Sequence, residues 1–164
     1  MNKTNIIIVD QNDDIIGDKP RNEISSHDIY RVSALWLANE LNEILIAQRS
    51  FQKSKDPGKW GPAVAGTVEK GESYSDNIRK EILEELGIEI KDLRIGPKRK
   101  DLGKNYFAQW FLATIPKNTK LEIQKDEVEK VRWISKIELK LEIESSPNEF
   151  LQSVQNFEEL FETK

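Results

Sequence analysis

Apolar residues along this chain follow two different patterns. Between residues 32 and 48, and again between 106 and 115, they form short dense runs with β-branched and aromatic side chains, which are typical of buried strands. Between Ser73 and Gly87 they recur every three or four residues, which predicts an amphipathic helix. The pattern therefore predicts a protein built from both strands and helices.

Turn residues separate the apolar runs. Gln11-Asn12-Asp13 divides two short runs near the N-terminus, which predicts a hairpin, and Asn39 to Asn42 divides the next pair. We predict strands over residues 5–9, 14–17, 32–38, 43–48, 64–66, 88–95, 106–115 and 128–133.

The first helix is marked by capping residues at both ends. Ser73 is a candidate N-cap and Gly87 a candidate C-cap. The helix would bury one apolar stripe, consisting of Ile78, Ile82, Leu83 and Leu86. This stripe predicts a helix that packs on the sheet.

Two capping boxes predict helices in the C-terminal part. Ser135 to Glu138 opens one helix, and Ser146 to Glu149, with Pro147 at the first helical position, opens another. In the last helix four residues recur at helical spacing as predicted core: Phe150, Val154, Phe157 and Phe161. Helices on both faces of a mixed sheet give an α/β fold.

Composition limits the classes of protein. A chain of 164 residues with 37% hydrophobic residues predicts a single domain over residues 1–164. The net charge of −4 argues against a nucleic acid polymer as partner. Cysteine is absent, which excludes disulfides and is compatible with a reducing compartment. The apolar run from Ile6 to Val9 is too short for a signal peptide or membrane span, so we predict a cytoplasmic protein that does not enter a membrane.

The first helix carries a cluster of carboxylates beside its apolar stripe. Glu81, Glu84 and Glu85 are spaced i, i+3 and i+4, so they lie within an arc of roughly 100° on the helix surface. Like charges this close repel each other unless cations intervene, and carboxylate oxygens are ligands that Mg²⁺ and Mn²⁺ prefer. The cluster therefore predicts a site for Mg²⁺ or Mn²⁺.

The residues around this cluster resemble the Nudix box, G-x5-E-x7-R-E-U-x-E-E-x-G-U, where U is aliphatic. The matching positions are Gly66, Glu72, Glu81, Ile82, Glu84, Glu85, Gly87 and Ile88. Lys80 stands where the family has arginine, and it lacks the planar fork that pairs bidentately with a carboxylate such as Glu72. From this difference we predict a looser loop and weaker activity.

The resemblance implies a Nudix-type α/β/α sandwich with a mixed β-sheet. It also implies metal-dependent hydrolysis, with Glu81, Glu84 and Glu85 as metal ligands and with Gly66, Glu72, Lys80 and Gly87 shaping the motif. A bound divalent cation would neutralise phosphate oxygens and activate water. The general base stays open between Glu84, Glu85 and a glutamate of the segment Asp126-Glu127-Val-Glu129, of which we select Glu127 as the candidate.

Residues outside the box resemble the Nudix subgroup that contains type I isopentenyl-diphosphate isomerases and their hydrolase relatives. The similar segments include Arg21, Gln48-Arg49 and Pro57-Gly58 with Trp60. The isomerases place a cysteine just before the box glycine and a metal-binding histidine just after it, but this chain has Ala65 and Thr67. The isomerases have a further histidine before their second strand, and Tyr30 stands at that position here. His27, the chain's one histidine, lies in the preceding loop. Isomerase activity is therefore the less favoured alternative.

Cationic residues precede the box and are candidates for phosphate binding. We predict Arg49, Lys53 and Lys59 as substrate-binding residues, with Arg49 preferred at the end of its strand. Trp60 either stacks on a substrate base or anchors its loop.

The favoured hypothesis is a hydrolase that cleaves a diphosphate linkage in a nucleoside diphosphate derivative or a related small molecule. A Nudix fold can also serve as a noncatalytic ligand-binding module, and this alternative stays open. The intact glutamates favour the hydrolase. By family resemblance the protein could be a homodimer.

Overall fold

The structure, a computed structural model, describes residues 4–101 and 105–155. Its strands are β1 Asn5–Val9, β2 Ile15–Pro20, β3 Ile29–Ala38, β4 Glu43–Arg49, β5 Trp60–Pro62, β6 Val64–Thr67, β7 Arg94–Asp101, β8 Tyr106–Thr114 and β9 Val128–Ser135. The helices are α1 Tyr74–Leu86, α2 Lys136–Ser145 and α3 Gln152–Gln155, and short 3-10 turns cover Arg21–Glu23 and Pro147–Glu149. None of the described helices is long and apolar enough to cross a membrane.

Strand β3 is the centre of a mixed sheet. It pairs in parallel with β8 over nearly its whole length, from Tyr30 to Ala38. It pairs antiparallel with β6, from Val32 to Leu35, and with β1 near its start. Near its end β3 pairs briefly with β4, which pairs in turn with β5 and β9. The hydrophobic runs of β3 and β8 match this central position, because such strands are buried on both faces.

Side chains alternate between two cores on opposite faces of β3. Leu35 and Leu37 face a core that contains Ile78, Ile82 and Leu86 of α1. Ala34 and Trp36 face the other core, where the helical contributions are Leu139 of α2 and Val154 of α3. The predicted α/β/α sandwich with helices on both faces of a mixed sheet is therefore confirmed.

Several predicted boundaries are wrong. Residues 88–93 form no strand: Ile90 is buried under α1 and its carbonyl accepts a hydrogen bond from Arg79 at 2.9 Å, so the sheet begins only at Arg94. Leu83 is 51% exposed and does not belong to the apolar stripe. The three-residue strand β5 was absent from the sequence prediction.

The second C-terminal capping box does not open the predicted long helix. Ser146 makes no side-chain capping bond, and residues 147–149 form a 3-10 turn. Phe150 then adopts an extended conformation beside Trp60, and Leu151 donates a backbone hydrogen bond to the Trp60 carbonyl at 2.8 Å. Phe150 and Val154 are core residues as predicted, whereas Phe157 and Phe161 lie outside the described residues.

Candidate metal and diphosphate site

The loop between β6 and α1 ends in a complete capping box. The Ser73 hydroxyl accepts from the Asp76 backbone N–H at 3.1 Å, and the Asp76 carboxylate accepts from the Ser73 N–H at 3.0 Å. This reciprocal pair satisfies two of the free donors at the helix start. Helix α1 therefore begins where the sequence predicts, and its carboxylate edge is fixed relative to the loop.

Gly66 allows α1 to approach β6 closely. A Cβ atom at this position would overlap the side chain of Glu81. The close approach requires glycine, which gives the box glycine a direct role in placing Glu81.

Glu72 organises the loop through several donors. Its Oε1 atom lies 2.6 Å from the Lys80 ammonium, and its Oε2 atom accepts from the Glu69 N–H at 3.0 Å and from the Asn77 amide at 2.9 Å. Burial alone would raise the pKa of Glu72, but these donors lower it below its ordinary value.

Lys80 holds the loop through two ion pairs. In addition to Glu72, its ammonium group reaches the Glu69 carboxylate at 3.1 Å. The looser loop and the weaker activity expected from the arginine-to-lysine difference stay predictions; in the structure the Lys80 ammonium bridges two loop carboxylates, and other donors complete the bonding of Glu72.

The three candidate metal ligands have different environments. Glu85 is only 8% exposed, and its carboxylate has no hydrogen bond or ion pair within the described residues. Burial raises the pKa of Glu85 well above its ordinary value, with added repulsion from Glu81 and Glu127. Burial likewise raises the pKa of Glu81 to about 7, and Glu84 and the loop carboxylates add to the effect. Glu84 is exposed.

The loop after β4 brings cations and a further carboxylate toward Glu85. Lys53 contacts the Glu127 carboxylate at 2.5 Å, and the Ser50 N–H donates to the Glu127 carbonyl at 3.0 Å. Arg49 and Lys53 lie close enough to Glu85 to oppose the rise of its pKa, although burial and Glu127 outweigh them. Residues that are distant in sequence thus act electrostatically on Glu85.

Gly87 makes room for the segment that carries Glu127. It ends α1 in the left-handed conformation at φ 68°, and a Cβ atom there would lie 2.7 Å from the Cβ of Glu122. Residues 122 and 124 donate backbone hydrogen bonds to the last carbonyls of α1, those of Leu86 and Glu85, at 2.9 and 3.1 Å. The C-terminus of the helix is thereby both capped and joined to the site.

Two other predicted site residues have different contacts. The Lys59 ammonium pairs with Asp56 at 3.1 Å. Trp60 is 8% exposed within the core on the α2 face, with the Arg132 guanidinium 4.6 Å from its ring centroid. Of the two readings of Trp60, this burial favours the structural anchor over a platform for a base.

The carboxylates do not form a ready-made cage: within residues 4–101 and 105–155 no group of three metal-binding side chains is close enough to hold an ion. The chemistry of the donors nevertheless fits a divalent cation. Glu85 is only 8% exposed, and burial together with neighbouring negative charge raises the pKa of Glu81 to about 7. A cation would relieve both penalties, and oxygen donors suit Mg²⁺ or Mn²⁺.

Two polar residues that the sequence did not single out support this site. Asn77 and Ser33 are both fully buried, and the Ser33 hydroxyl donates to the Asn77 carbonyl oxygen. The available signal was a short amide residue inside a helix, next to the apolar stripe, where Asn has low helix propensity.

The positions that would carry isomerase chemistry lie on β6. They are Ala65, which is exposed, and Thr67, which is partly buried. Neither residue carries a thiol or an imidazole. His27 is exposed in the loop that precedes β3.

Comparison with known proteins agrees with this architecture. Residues 29–154 match the NUDIX domain. An uncharacterized Nudix hydrolase of Nostoc is 38% identical over 85 residues, which are 51% of this chain and 50% of the relative. The isopentenyl-diphosphate Delta-isomerase of Salmonella arizonae is 30% identical over 95 residues, which are 57% of this chain and 52% of the relative. The match thus spans about half the length of these two relatives.

A solved structure has the same fold over nearly the whole chain. DR0079 from Deinococcus radiodurans superimposes with a TM-score of 0.83 and 20% identity, covering 93% of this chain and 96% of that one. At this identity the similarity concerns the fold alone. From the matched domain, which includes the entire carboxylate helix, we conclude that the chain belongs to the NUDIX domain family.

Proposed function

We propose that the protein is a Mg²⁺- or Mn²⁺-dependent hydrolase that cleaves the diphosphate linkage of a nucleoside diphosphate derivative or a related small molecule. The observation that carries the proposal is the mostly buried Glu85, 8% exposed, whose pKa is raised by burial and by the neighbouring carboxylates and is opposed by the cations Arg49 and Lys53. The Nostoc relative is named a Nudix hydrolase, which supports the same activity here.

In this proposal Glu81, Glu84 and Glu85 hold the cation. When bound, a divalent cation neutralises phosphate oxygens and makes water more acidic. The neighbouring cations Arg49 and Lys53 contact the remaining phosphate oxygens and orient the linkage. In the free protein Lys53 is paired with Glu127, so a substrate phosphate would compete for the same ammonium group.

Glu127 is the candidate general base. Its charge acts on the pKa of Glu85, and its side chain is 38% exposed, so it is accessible to water as well as to Lys53. A carboxylate released from Lys53 is free to accept a proton from the attacking water.

The isomerase is the second candidate, because the Salmonella relative bears that name. The proposal ranks it lower, since Ala65 and Thr67 supply no group that moves a proton across an allylic system. A noncatalytic ligand-binding module is the third candidate. The proposal ranks it below the hydrolase because the glutamates of α1 are intact. The cytoplasmic location and the homodimer stay predictions.

Hydrolysis is tested with purified protein and a panel of nucleoside diphosphate derivatives, dinucleotides and prenyl diphosphates in Mg²⁺, in Mn²⁺ and in EDTA, by separating the nucleotide and the other phosphorylated products by anion-exchange chromatography. We expect turnover in the presence of either metal and none in EDTA. The substrate that is cleaved fastest would identify the class.

The same assay is run on Glu84→Gln and Glu85→Gln. We expect each to lose at least about a hundredfold in kcat, because each removes a proposed metal ligand while keeping the shape of the side chain. Glu89→Gln, at an exposed glutamate just beyond α1, is the matched control and should retain full activity. Wild-type activity in either ligand variant would contradict the proposed metal site.

A further inference from the structure

Asn77 is a polar side chain in a position where an apolar one would be expected. It lies in α1 immediately before Ile78, and it is fully buried. The Nudix box leaves this position unspecified. Because a buried amide must find partners for its donors and its acceptor, its contacts indicate what it does.

The Asn77 amide joins three parts of the site. Its Nδ2 atom donates to the Thr67 carbonyl at 3.1 Å and to Glu72 Oε2 at 2.9 Å, and it lies 3.4 Å from Glu81 Oε1. Its carbonyl oxygen accepts from the buried Ser33 hydroxyl of β3. The central strand, the loop and the carboxylate edge of α1 are therefore connected through one side chain.

The contacts of Lys80 explain why Glu72 needs this amide. An ammonium group is a point charge, whereas a guanidinium group can donate two parallel hydrogen bonds to one carboxylate. Lys80 contacts Glu72 Oε1 and then turns to Glu69, so Glu72 Oε2 receives no bond from it. Asn77 and the Glu69 N–H supply the donors for that second oxygen.

We infer that Asn77 is a positioning residue for the metal site, whose buried amide orients Glu72 and Glu81 in place of the second arm of an arginine at position 80. It need not touch the metal or the substrate. The inference rests on the proposed function, because it assumes that Glu81 binds a cation. It also goes beyond that function, since it makes Asn77 and Lys80 energetically coupled.

The inference is tested by Mn²⁺ binding, measured from the electron paramagnetic resonance signal of free Mn²⁺ without any substrate. We expect Asn77→Ala to lower Mn²⁺ affinity roughly 10- to 100-fold, the usual effect of losing a residue that orients a metal ligand. Asn118→Ala, at an exposed asparagine in the turn after β8, is the matched control and should bind as the wild type does.

Rescue distinguishes positioning from a general structural role. Lys80→Arg alone should change affinity little, but in the Asn77→Ala background it should restore most of the loss, because the guanidinium fork can reach Glu72 Oε2. A purely structural loss, caused by a void or by an unpaired Ser33 hydroxyl, would not respond to the arginine.

Ser33→Ala covers the case in which Asn77→Ala does not fold. This variant releases the amide carbonyl while keeping every donor of Asn77, so we expect a few-fold loss of Mn²⁺ affinity with a cooperative thermal transition retained. Wild-type Mn²⁺ affinity in Asn77→Ala, or in Ser33→Ala if the former does not fold, would overturn the inference about Asn77 and leave the proposed function standing. A failure of Lys80→Arg to rescue would also overturn it. Absence of Mn²⁺ binding by the wild-type chain would overturn the proposed function, and with it this inference.

Discussion

At the scale of single residues, the carboxylates of α1 differ more than their shared motif suggests. Glu84 is exposed, Glu81 is partly buried with a pKa of about 7, and Glu85 is almost fully buried with its pKa raised well above its ordinary value. Burial is the main cause in both cases, because a charge loses its hydration when it leaves water. The three proposed ligands of one ion thus differ in how far each is desolvated.

The raised pKa of Glu81 predicts how the metal-free protein responds to pH. A carboxyl group whose folded pKa lies near 7, above the ordinary 4.5, binds protons more tightly in the folded state than in the unfolded state. Its stabilising contribution is therefore complete below pH 4.5 and is lost as pH rises through 7. Glu85 acts in the same direction, so the thermal midpoint in EDTA should fall between about pH 5 and about pH 8.

Glu81→Gln is the variant that isolates this residue. We expect it to be more stable than the wild type at about pH 8, by about 1–2 kcal/mol, and to show a shallower dependence on pH. Glu89→Gln should keep the wild-type slope. A thermal midpoint that rises with pH in the wild type, or an unchanged slope in Glu81→Gln, would contradict the pKa assigned to Glu81.

At the scale of elements, α1 is fixed at both ends by local chemistry and along its side by glycine. The Ser73 box starts it, Gly87 ends it, and Gly66 lets its carboxylate edge approach β6. These three features place one helix within a short distance of a strand and of the segment 122–127. The site therefore depends on where the helix begins and ends as much as on which glutamates it carries.

Gly87→Ala tests the C-terminal end of this helix. The left-handed conformation costs a non-glycine residue about 1 kcal/mol, and the added Cβ would also collide with Glu122. We expect a total loss of about 2–3 kcal/mol in the free energy of unfolding, measured by chemical denaturation.

Gly71→Ala is the matched control for the backbone term. Gly71 also has a positive φ, of 88°, but nothing lies within 4 Å of the position that a Cβ atom would occupy there. Gly71→Ala should therefore lose only about 1 kcal/mol in the free energy of unfolding. Equal losses in the two variants would mean that the approach of Glu122 to the helix end contributes nothing to stability.

At the scale of the whole molecule, an ionic cluster around a buried aspartate joins the N-terminal hairpin to the rest of the fold. Asp13, 7% exposed at the hairpin turn, contacts the Arg31 guanidinium at 2.7 Å and the Lys98 ammonium at 2.7 Å. It also accepts from the Tyr74 hydroxyl at 3.1 Å, at the first residue of α1. One carboxylate thus connects the hairpin with β3, β7 and the start of the site helix.

Asp13→Asn tests this connection while keeping a residue that tolerates the positive φ of 68°. We expect the free energy of unfolding to fall by about 2–4 kcal/mol, because the Arg31 guanidinium, which is mostly buried, would lose its charged partner. Asp14→Asn, at the exposed neighbouring aspartate, should be neutral. The measurement is chemical denaturation of both variants, and a loss below about 0.5 kcal/mol in Asp13→Asn would show that the cluster is not important for stability.

The features that the sequence predicted correctly are those with local causes. The helix from Ser73 to Gly87 has its caps and most of its apolar stripe within a few residues, and β3 and β8 are runs that only a buried strand accommodates. The errors have nonlocal causes. Residues 88–93 look like a strand but pack under α1, and Phe150 leaves its predicted helix because Trp60 provides a backbone partner.

By itself, therefore, the sequence determined the α/β class, the limits of the carboxylate helix and the kind of ligand that its glutamates suit, because these follow from spacing and side-chain chemistry. Only the tertiary structure decided which of these glutamates is buried, that Glu127 and Lys53 come close enough to shift the pKa of Glu85, that Trp60 belongs to the core, and that Asn77 completes the bonding of Glu72. The physical reason is that burial and electrostatic environment depend on residues far apart in the chain, which only the packed sheet and helices bring together.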